Sequence, residues 1–238
     1  MPSYVERFEA MVEEIKGHPR LEVVEFALNP PATADVFRQV EEKLKAAPSG
    51  PLREFYGRAN GMRLRWKIKA GLSEAELEEV RAESPDYSIE SSENADIPFA
   101  QINLIPLEEA LVTRRWEEFE EAEDDEHFEF QGQTYLVREF GERVRPFDLF
   151  STYNAMAFVT EEGNGDPPAM LLGDYYVEWS HSRLTDFASY VEMLLATRGV
   201  VKAREQVYGE YRGDLKPALK TGADYWTQER VPQLFRKR

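Results

Sequence analysis

The feature that most constrains this chain is the run Met62-Arg63-Leu64-Arg65-Trp66-Lys67-Ile68-Lys69, in which apolar residues alternate with cations. Successive side chains of a strand point to opposite faces, so the run predicts a β-strand with one buried and one basic face. Such a strand needs partners in a sheet and a second layer over its apolar side. Directly before it, Leu52, Phe55, Tyr56 and Ala59 repeat at helical spacing. They end at Asn60-Gly61, where glycine supplies the left-handed conformation of a helix stop. The basic face has two plain readings, a solvated surface or cross-strand pairing with the chain's own acids; a phosphate site is the less simple one.

Periodicity and breakers extend this pattern in both directions. Ser3 and Glu6 stand at capping-box spacing, and Tyr4, Phe8, Met11, Val12 and Ile15 follow on one helical face until Gly17 and Pro19. Leu21 to Phe26 reads as a short strand. A second helix opens near Thr33 or Asp35, with Val36, Phe37, Val40 and Leu44 inward, and Pro48-Ser49-Gly50-Pro51 reads as a turn. Ser73 and Glu76 again mark a helix start, and the polar stretch from Ala82 to Asp96 reads as a loop. Ile97 to Ile105 is strand-like, and Pro106 opens a helix with Leu107 and Leu111 inward. Short strands joined by Gly/Asn turns follow: Phe128 to Phe130, Thr134 to Phe140, Ala155 to Thr160 and Ala169 to Trp179. Leu184, Phe187, Ala188, Val191, Leu194 and Leu195 then mark an amphipathic helix closed by Arg198-Gly199, and the aromatic tail beyond it reads as more helix. The expected fold class is α+β, an antiparallel meander sheet flanked by helices.

Composition narrows the function classes. The 238 residues carry 29 Lys+Arg against 45 Asp+Glu, a net charge of −16, and no cysteine. Disulfides, thiol catalysis and Cys-ligated zinc are therefore excluded. An apolar share of 42% is far above that of a disordered acidic chain, so the acids coat a folded protein. The charge repels phosphate backbones and favours basic proteins as partners, so no nucleic-acid partner is expected. No stretch has the roughly 18 consecutive apolar residues of a membrane helix, and acids occupy the N-terminal region where a signal peptide needs an apolar block. The expectation is a cytoplasmic protein with no membrane partner.

The residues Pro51-Leu52-Arg53-Glu54-Phe55-Tyr56-Gly57-Arg58-Ala59-Asn60-Gly61, the proline-led Ile105-Pro106-Leu107-Glu108-Glu109-Ala110, Arg145-Pro146-Phe147-Asp148, and the closing Ser182-Arg183-Leu184-Thr185-Asp186-Phe187-Ala188-Ser189-Tyr190-Val191 occur in this order. In that order they resemble the SMI1/KNR4 family, the SUKH superfamily. The resemblance covers roughly residues 35–199 of a single 1–238 domain. Residues 1–34 form an N-terminal helix and strand extension, and residues 200–238 a C-terminal helical one. The chain departs from the family in its 82–96 stretch, in the acids after Trp116 and in its tail after Gly199. The resemblance implies an α+β fold and a non-enzymatic binding role. The commonest such role is an immunity protein that neutralises a basic, nuclease-like toxin or effector by covering its active site; the alternative is a regulatory scaffold for a signalling or cell-wall-related protein. No catalytic residues and no cofactor come with it.

Candidate binding residues follow from chemistry. Glu117, Glu118, Glu120, Glu121, Glu123, Asp124, Asp125 and Glu126 form the densest charge run, which reads either as a steering surface for a basic partner or as a solvated acidic loop. The run lacks the alternating Asp/Asn, central Gly and closing Glu of a calcium loop, so no metal is expected there. Tyr175, Tyr176 and Trp179 are interface anchors by residue type, while Tyr175, Val177 and Trp179 share one strand face and read equally as core. His18, His127 and His181 have no partner at the spacing of a helical zinc site, and Ser180-His181 lacks the elbow of a serine hydrolase. Glu162-Gly163-Asn164-Gly165-Asp166 lacks the Lys-Ser/Thr of a phosphate loop and reads as a hairpin turn.

Overall fold

Helix α1 (Tyr4–Lys16) starts on the capping box that the Ser3/Glu6 spacing predicts. The Ser3 side chain accepts from the Glu6 N–H, and the Glu6 carboxylate accepts from the Ser3 N–H at 2.7 Å. The computed structural model describes residues 2–18, 21–68, 73, 75, 100–116, 123, 125–151, 154–173 and 183–208. After α1 come β1 (Leu21–Leu28), α2 (Ala34–Leu44), α3 (Gly50–Tyr56), β2 (Met62–Ile68) and β3 (Ala100–Leu104). A π-helical turn, Glu109–Thr113, leads towards a hairpin, β4 (His127–Phe130) and β5 (Gln133–Leu136). Helix α4 (Val137–Gly141), strands β6 (Val144–Asp148), β7 (Ala155–Val159) and β8 (Ala169–Leu172), and helices α5 (Phe187–Thr197) and α6 (Val201–Tyr208) complete the described elements.

The sheet has six strands in the order β1-β2-β3-β6-β7-β8, antiparallel at every step, and the β4–β5 hairpin forms a separate two-stranded sheet. The fold is thus α+β, a meander flanked by helices. The β2 alternation decides which face is covered. Met62, Leu64 and Trp66 are buried, and the Trp66 indole donates to the Arg198 carbonyl at 2.8 Å. Arg63 pairs with Glu25 at 3.2 Å and Lys67 with Glu22 at 4.0 Å, so the basic face is cross-strand paired with acids of β1. Lys69 lies outside the described residues.

Two apolar cores flank the sheet. The larger joins α1, α3 and α5 to the inward residues of β2 and β3 and to Phe147, Met156, Phe158, Ala169 and Leu171. Helix α1 and strand β1 are therefore integral to the main core, through Phe8, Met11, Val12, Ile15 and Leu21. The smaller core lies under the hairpin and α4, where Trp116, Phe128, Phe130, Val137 and Phe140 meet Val144, Ala155, Ala157, Val159, Met170 and Leu172. Strands β6, β7 and β8 are buried on both faces; β7 and β8 run as apolar blocks, while β6 buries Arg145 and Asp148 among its apolar residues.

Several elements differ from the sequence expectation. Helix α3 ends at a Gly57 cap in the right-handed region, so Gly61 (φ +100°) opens the strand and does not close the helix. Pro48 to Pro51 is no free turn: α3 already begins at Gly50, with a proline in its first turn. The expected strand from Thr134 to Phe140 stops at Leu136, because its partner β4 begins at His127 opposite Leu136 and offers no ladder beyond. The chain turns there into α4, with Val137 and Phe140 three residues apart on its buried side. Leu184 is 42% exposed and precedes the α5 cap Asp186, so it is outside that helix's apolar face. The segments around Ser73 to Val80, Ala82 to Asp96, Gly173 to Trp179 and the tail beyond Tyr208 lie wholly or mostly outside the described residues.

Candidate functional site

Two polar nodes fix the framework on which any binding surface stands. At the first, the Asn60 side-chain oxygen accepts from the Leu107 N–H at 2.8 Å, and its amide donates to Glu108 at 2.9 Å. The Asn60 carbonyl accepts from the Asn29 side chain at 2.8 Å. Beside it, a Cβ on Gly61 would stand 2.5 Å from the Leu104 carbonyl oxygen, so only glycine fits. The helix-Asn-Gly piece and the proline-led piece are therefore bonded to each other.

The second node ties the other two pieces. Arg204 donates to Asp148 at 2.8 Å, to the Tyr190 hydroxyl at 2.7 Å and to the Gln101 carbonyl at 2.8 Å, and stacks 4.3 Å from the Phe150 ring centre. The Tyr190 hydroxyl donates to Asp148, whose other oxygen accepts from the Asn103 N–H at 2.7 Å. Burial drives the Tyr190 hydroxyl well above its ordinary pKa. Burial opposes the Arg204 charge, but Tyr190 and Asp148 outweigh it and hold the guanidinium protonated. Asp148, Tyr190 and Arg204 are each 0% exposed, so this is a closed structural joint with no face for a substrate. Sequence reasoning missed it; the available signal was an acid, Asp148, set among Phe147, Leu149 and Phe150.

A different buried cation stands in β6. Arg145 is 2% exposed, donates to the Val144 carbonyl at 2.8 Å, and has no carboxylate within ion-pair distance among the described residues. Burial, with Arg115 nearby, lowers its pKa.

Surface charge is laid out unevenly. Several surface cations are bound to acids: Arg7 to Glu192, Lys45 to Glu162, Arg115 to Glu142, Arg143 to Glu161, and the part-buried Arg198 to Glu14 at 3.1 Å. Glu9, Glu42 and Glu139 have no ion pair among the described residues, and the base of the hairpin gathers more such acids in one segment. Glu123 and Asp125 are exposed, Glu126 is half-buried, and none of them nor Glu129 has a Lys or Arg within ion-pair distance among the described residues. The segment is held by backbone contacts, with the Glu126 N–H donating to the Glu123 carbonyl at 3.2 Å and the Val137 N–H to the Glu126 carbonyl at 2.9 Å. The His127 ring bonds the Asp125 carbonyl at 2.6 Å, as befits the first residue of β4.

Of the other candidate residues, Glu117, Glu118, Glu120, Glu121, Asp124, Tyr175, Tyr176 and Trp179 lie outside the described residues. The described residues that lead into both groups do meet: Trp116, just before the acids, and Leu172, the last residue of β8, are buried in the same smaller core. A cleft of about 370 Å³ opens nearby, lined by Lys43, Arg143, Thr160 and the acids Glu142, Glu161 and Glu162. Each of those acids is already paired with an arginine or lysine, so the cleft offers no unpaired carboxylate. Among the described residues no three His, Asp or Glu side chains converge as a metal site, and no helix is long and apolar enough to cross a membrane.

The fold and this surface define an α+β protein with a six-stranded antiparallel sheet flanked by helices and an acidic hairpin base. Compared with protein-family models and with curated proteins, the chain matches none.

Proposed function

We propose that this chain is a cytoplasmic, non-enzymatic protein-binding module of the SMI1/KNR4 type, which neutralises a basic, nuclease-like toxin or effector by covering its active site. The observation that carries the reading is the set of acids at the base of the hairpin, Glu123, Asp125, Glu126 and Glu129, none of which has an ion pair with Lys or Arg among the described residues. A free anionic patch of this kind raises the encounter rate with a cationic partner and opposes nucleic acid at the same place. The bonding of the four family-like sequence pieces into two nodes supports the SMI1/KNR4 resemblance. The toxin reading is tested by deleting the gene in its native cell. Loss of viability that is rescued by also deleting one basic protein supports neutralisation. Altered growth without self-intoxication supports a scaffold for a signalling or cell-wall-related protein.

A further inference from the structure

Two Asn-Gly dipeptides occur in the chain, Asn60-Gly61 and Asn164-Gly165. Such a pair can react with itself, because a glycine has no side chain to hinder attack of its nitrogen on the preceding asparagine amide. The reaction uses the attacking nitrogen, the side-chain carbonyl that turns to meet it, and the amide nitrogen that leaves. At Asn60 the fold holds all of them. The Gly61 N–H donates to the Ala59 carbonyl at 2.8 Å, the Asn60 side-chain oxygen accepts from the Leu107 N–H at 2.8 Å, and the Asn60 amide donates to Glu108 at 2.9 Å. At Asn164, in the loop between β7 and β8, neither the Gly165 N–H nor the Asn164 amide nitrogen has a partner among the described residues. The Asn164 side-chain oxygen accepts from the Asp166 N–H at 2.9 Å, which folds the side chain back over the Gly165 peptide and polarises its carbonyl.

The loop is fastened on both sides of Asn164. The Gly163 N–H donates to the Leu44 carbonyl at the end of α2 at 2.7 Å, and the Gly165 carbonyl accepts from the Ser49 N–H, just before α3, at 2.7 Å. Lys45 adds an ion pair with Glu162 at 2.6 Å. The fit is close, since a Cβ on Gly165 would overlap the Ala47 carbonyl oxygen. An extra main-chain carbon between Gly163 and Gly165 would therefore move one of these contacts off its partner. A new carboxylate at the same place would join Glu161, Glu162 and Asp166, adding like-charge repulsion.

We propose that Asn164-Gly165 is a self-modification site, at which Asn164 closes to a succinimide and opens to aspartate or isoaspartate, and that the isoaspartate releases the β7–β8 loop from the α2–α3 connection. Hydroxide takes the Gly165 N–H proton, and the nitrogen attacks Asn164 Cγ. The N–Cγ bond forms, the Cγ–Nδ2 bond breaks, and the departing nitrogen takes a proton from water and leaves as ammonia. A water molecule then opens the succinimide. Opening at Cγ leaves aspartate in a normal main chain, and opening at the Asn164 main-chain carbonyl leaves isoaspartate, whose chain runs through Cβ and Cγ. In sum one water replaces one ammonia, with no oxidation or reduction. The inference does not depend on the binding role proposed above.

The full chain is aged in warm, mildly alkaline buffer, its peptides are mapped by mass spectrometry, and isoaspartate is counted by enzymatic methylation. Aspartate and isoaspartate are expected to form at Asn164 about tenfold or more faster than at Asn60 in the folded protein. In urea the two sites are expected to react at similar rates, since the fold no longer holds Asn60. Hydrogen exchange at the Ser49 and Gly163 amides is expected to be faster in the aged chain than in the fresh one. Asn164→Gln, aged alike, is expected to keep the fresh exchange rates. An unreacted Asn164, an Asn60 that reacts as fast in the folded chain, an Asn60 that stays inert in urea, or unchanged exchange at Ser49 and Gly163 in isoaspartate-bearing protein would each overturn the proposal.

Discussion

Leu107 donates its backbone N–H to the side-chain oxygen of Asn60 across 2.8 Å, joining the turn before β2 to the segment after β3. Because Leu107 is fully buried, that N–H has no water to fall back on. The bond makes the Asn60-Gly61 dipeptide a tertiary joint as well as a local turn.

Asn60→Ala is expected to destabilise the fold by about 1–3 kcal/mol, since it leaves a buried donor unmet. Gly61→Ala is expected to cost more, because it adds positive-φ strain to a 2.5 Å clash with the Leu104 carbonyl oxygen. Urea denaturation measures both. A G61A protein as stable as the parent would contradict the assignment.

The two buried arginines should respond in opposite ways. Arg204→Met leaves Asp148 charged, buried and without its cation, a loss of about 3–5 kcal/mol. Arg145→Met removes a cation that has no described carboxylate partner, and is expected to be neutral or stabilising by about 1 kcal/mol or more. Thermal and urea unfolding of the two variants decide the point, and equal losses would show that the Arg145 environment is misread.

Alkaline pH should unfold the protein cooperatively. Tyr56 and Tyr190 are driven up by burial, and Tyr208 is pushed up to about 12, again chiefly by burial. Groups with raised folded pKa values contribute stability that is intact below the unfolded value of about 10. It is lost as pH rises from there through the folded values. Phenolate absorbance followed against pH should show a late, steep phase coincident with loss of secondary structure. A single smooth titration near 10 with the fold intact would contradict the burial of these hydroxyls.

Legibility in the sequence followed the range of the forces involved. The Ser3 and Thr33 caps and the β2 alternation are local, and the structure contains them as expected. The turn that the sequence offers over Gln131-Gly132-Gln133 is present but shorter: Gln131 and Gly132 alone take positive φ as a two-residue hairpin turn, and Gln133 already pairs with Phe130 in β5. The β5 boundary was not legible, because it depends on where β4 begins and therefore on a partner strand. The Asp148–Tyr190–Arg204 cluster joins residues from β6, α5 and α6, and no periodicity registers a contact over that separation. At the candidate site, the acidic residue types were legible; that Glu123, Asp125 and Glu126 have no Lys or Arg in ion-pair contact among the described residues is a property of the folded surface.

The central claim, that the acidic hairpin base binds a basic protein, is tested most directly by capture from native cytosol. The tagged chain and its Glu123→Lys/Asp125→Lys variant are compared at low and high salt, with bound proteins identified by mass spectrometry and association followed kinetically. These exposed substitutions should change stability by no more than about 0.5 kcal/mol. The account predicts one dominant, stoichiometric basic partner that weakens with salt, and a variant with slower association and a shallower salt dependence. An acidic or absent partner, or a variant that associates at the parental rate with the parental salt dependence, would contradict it.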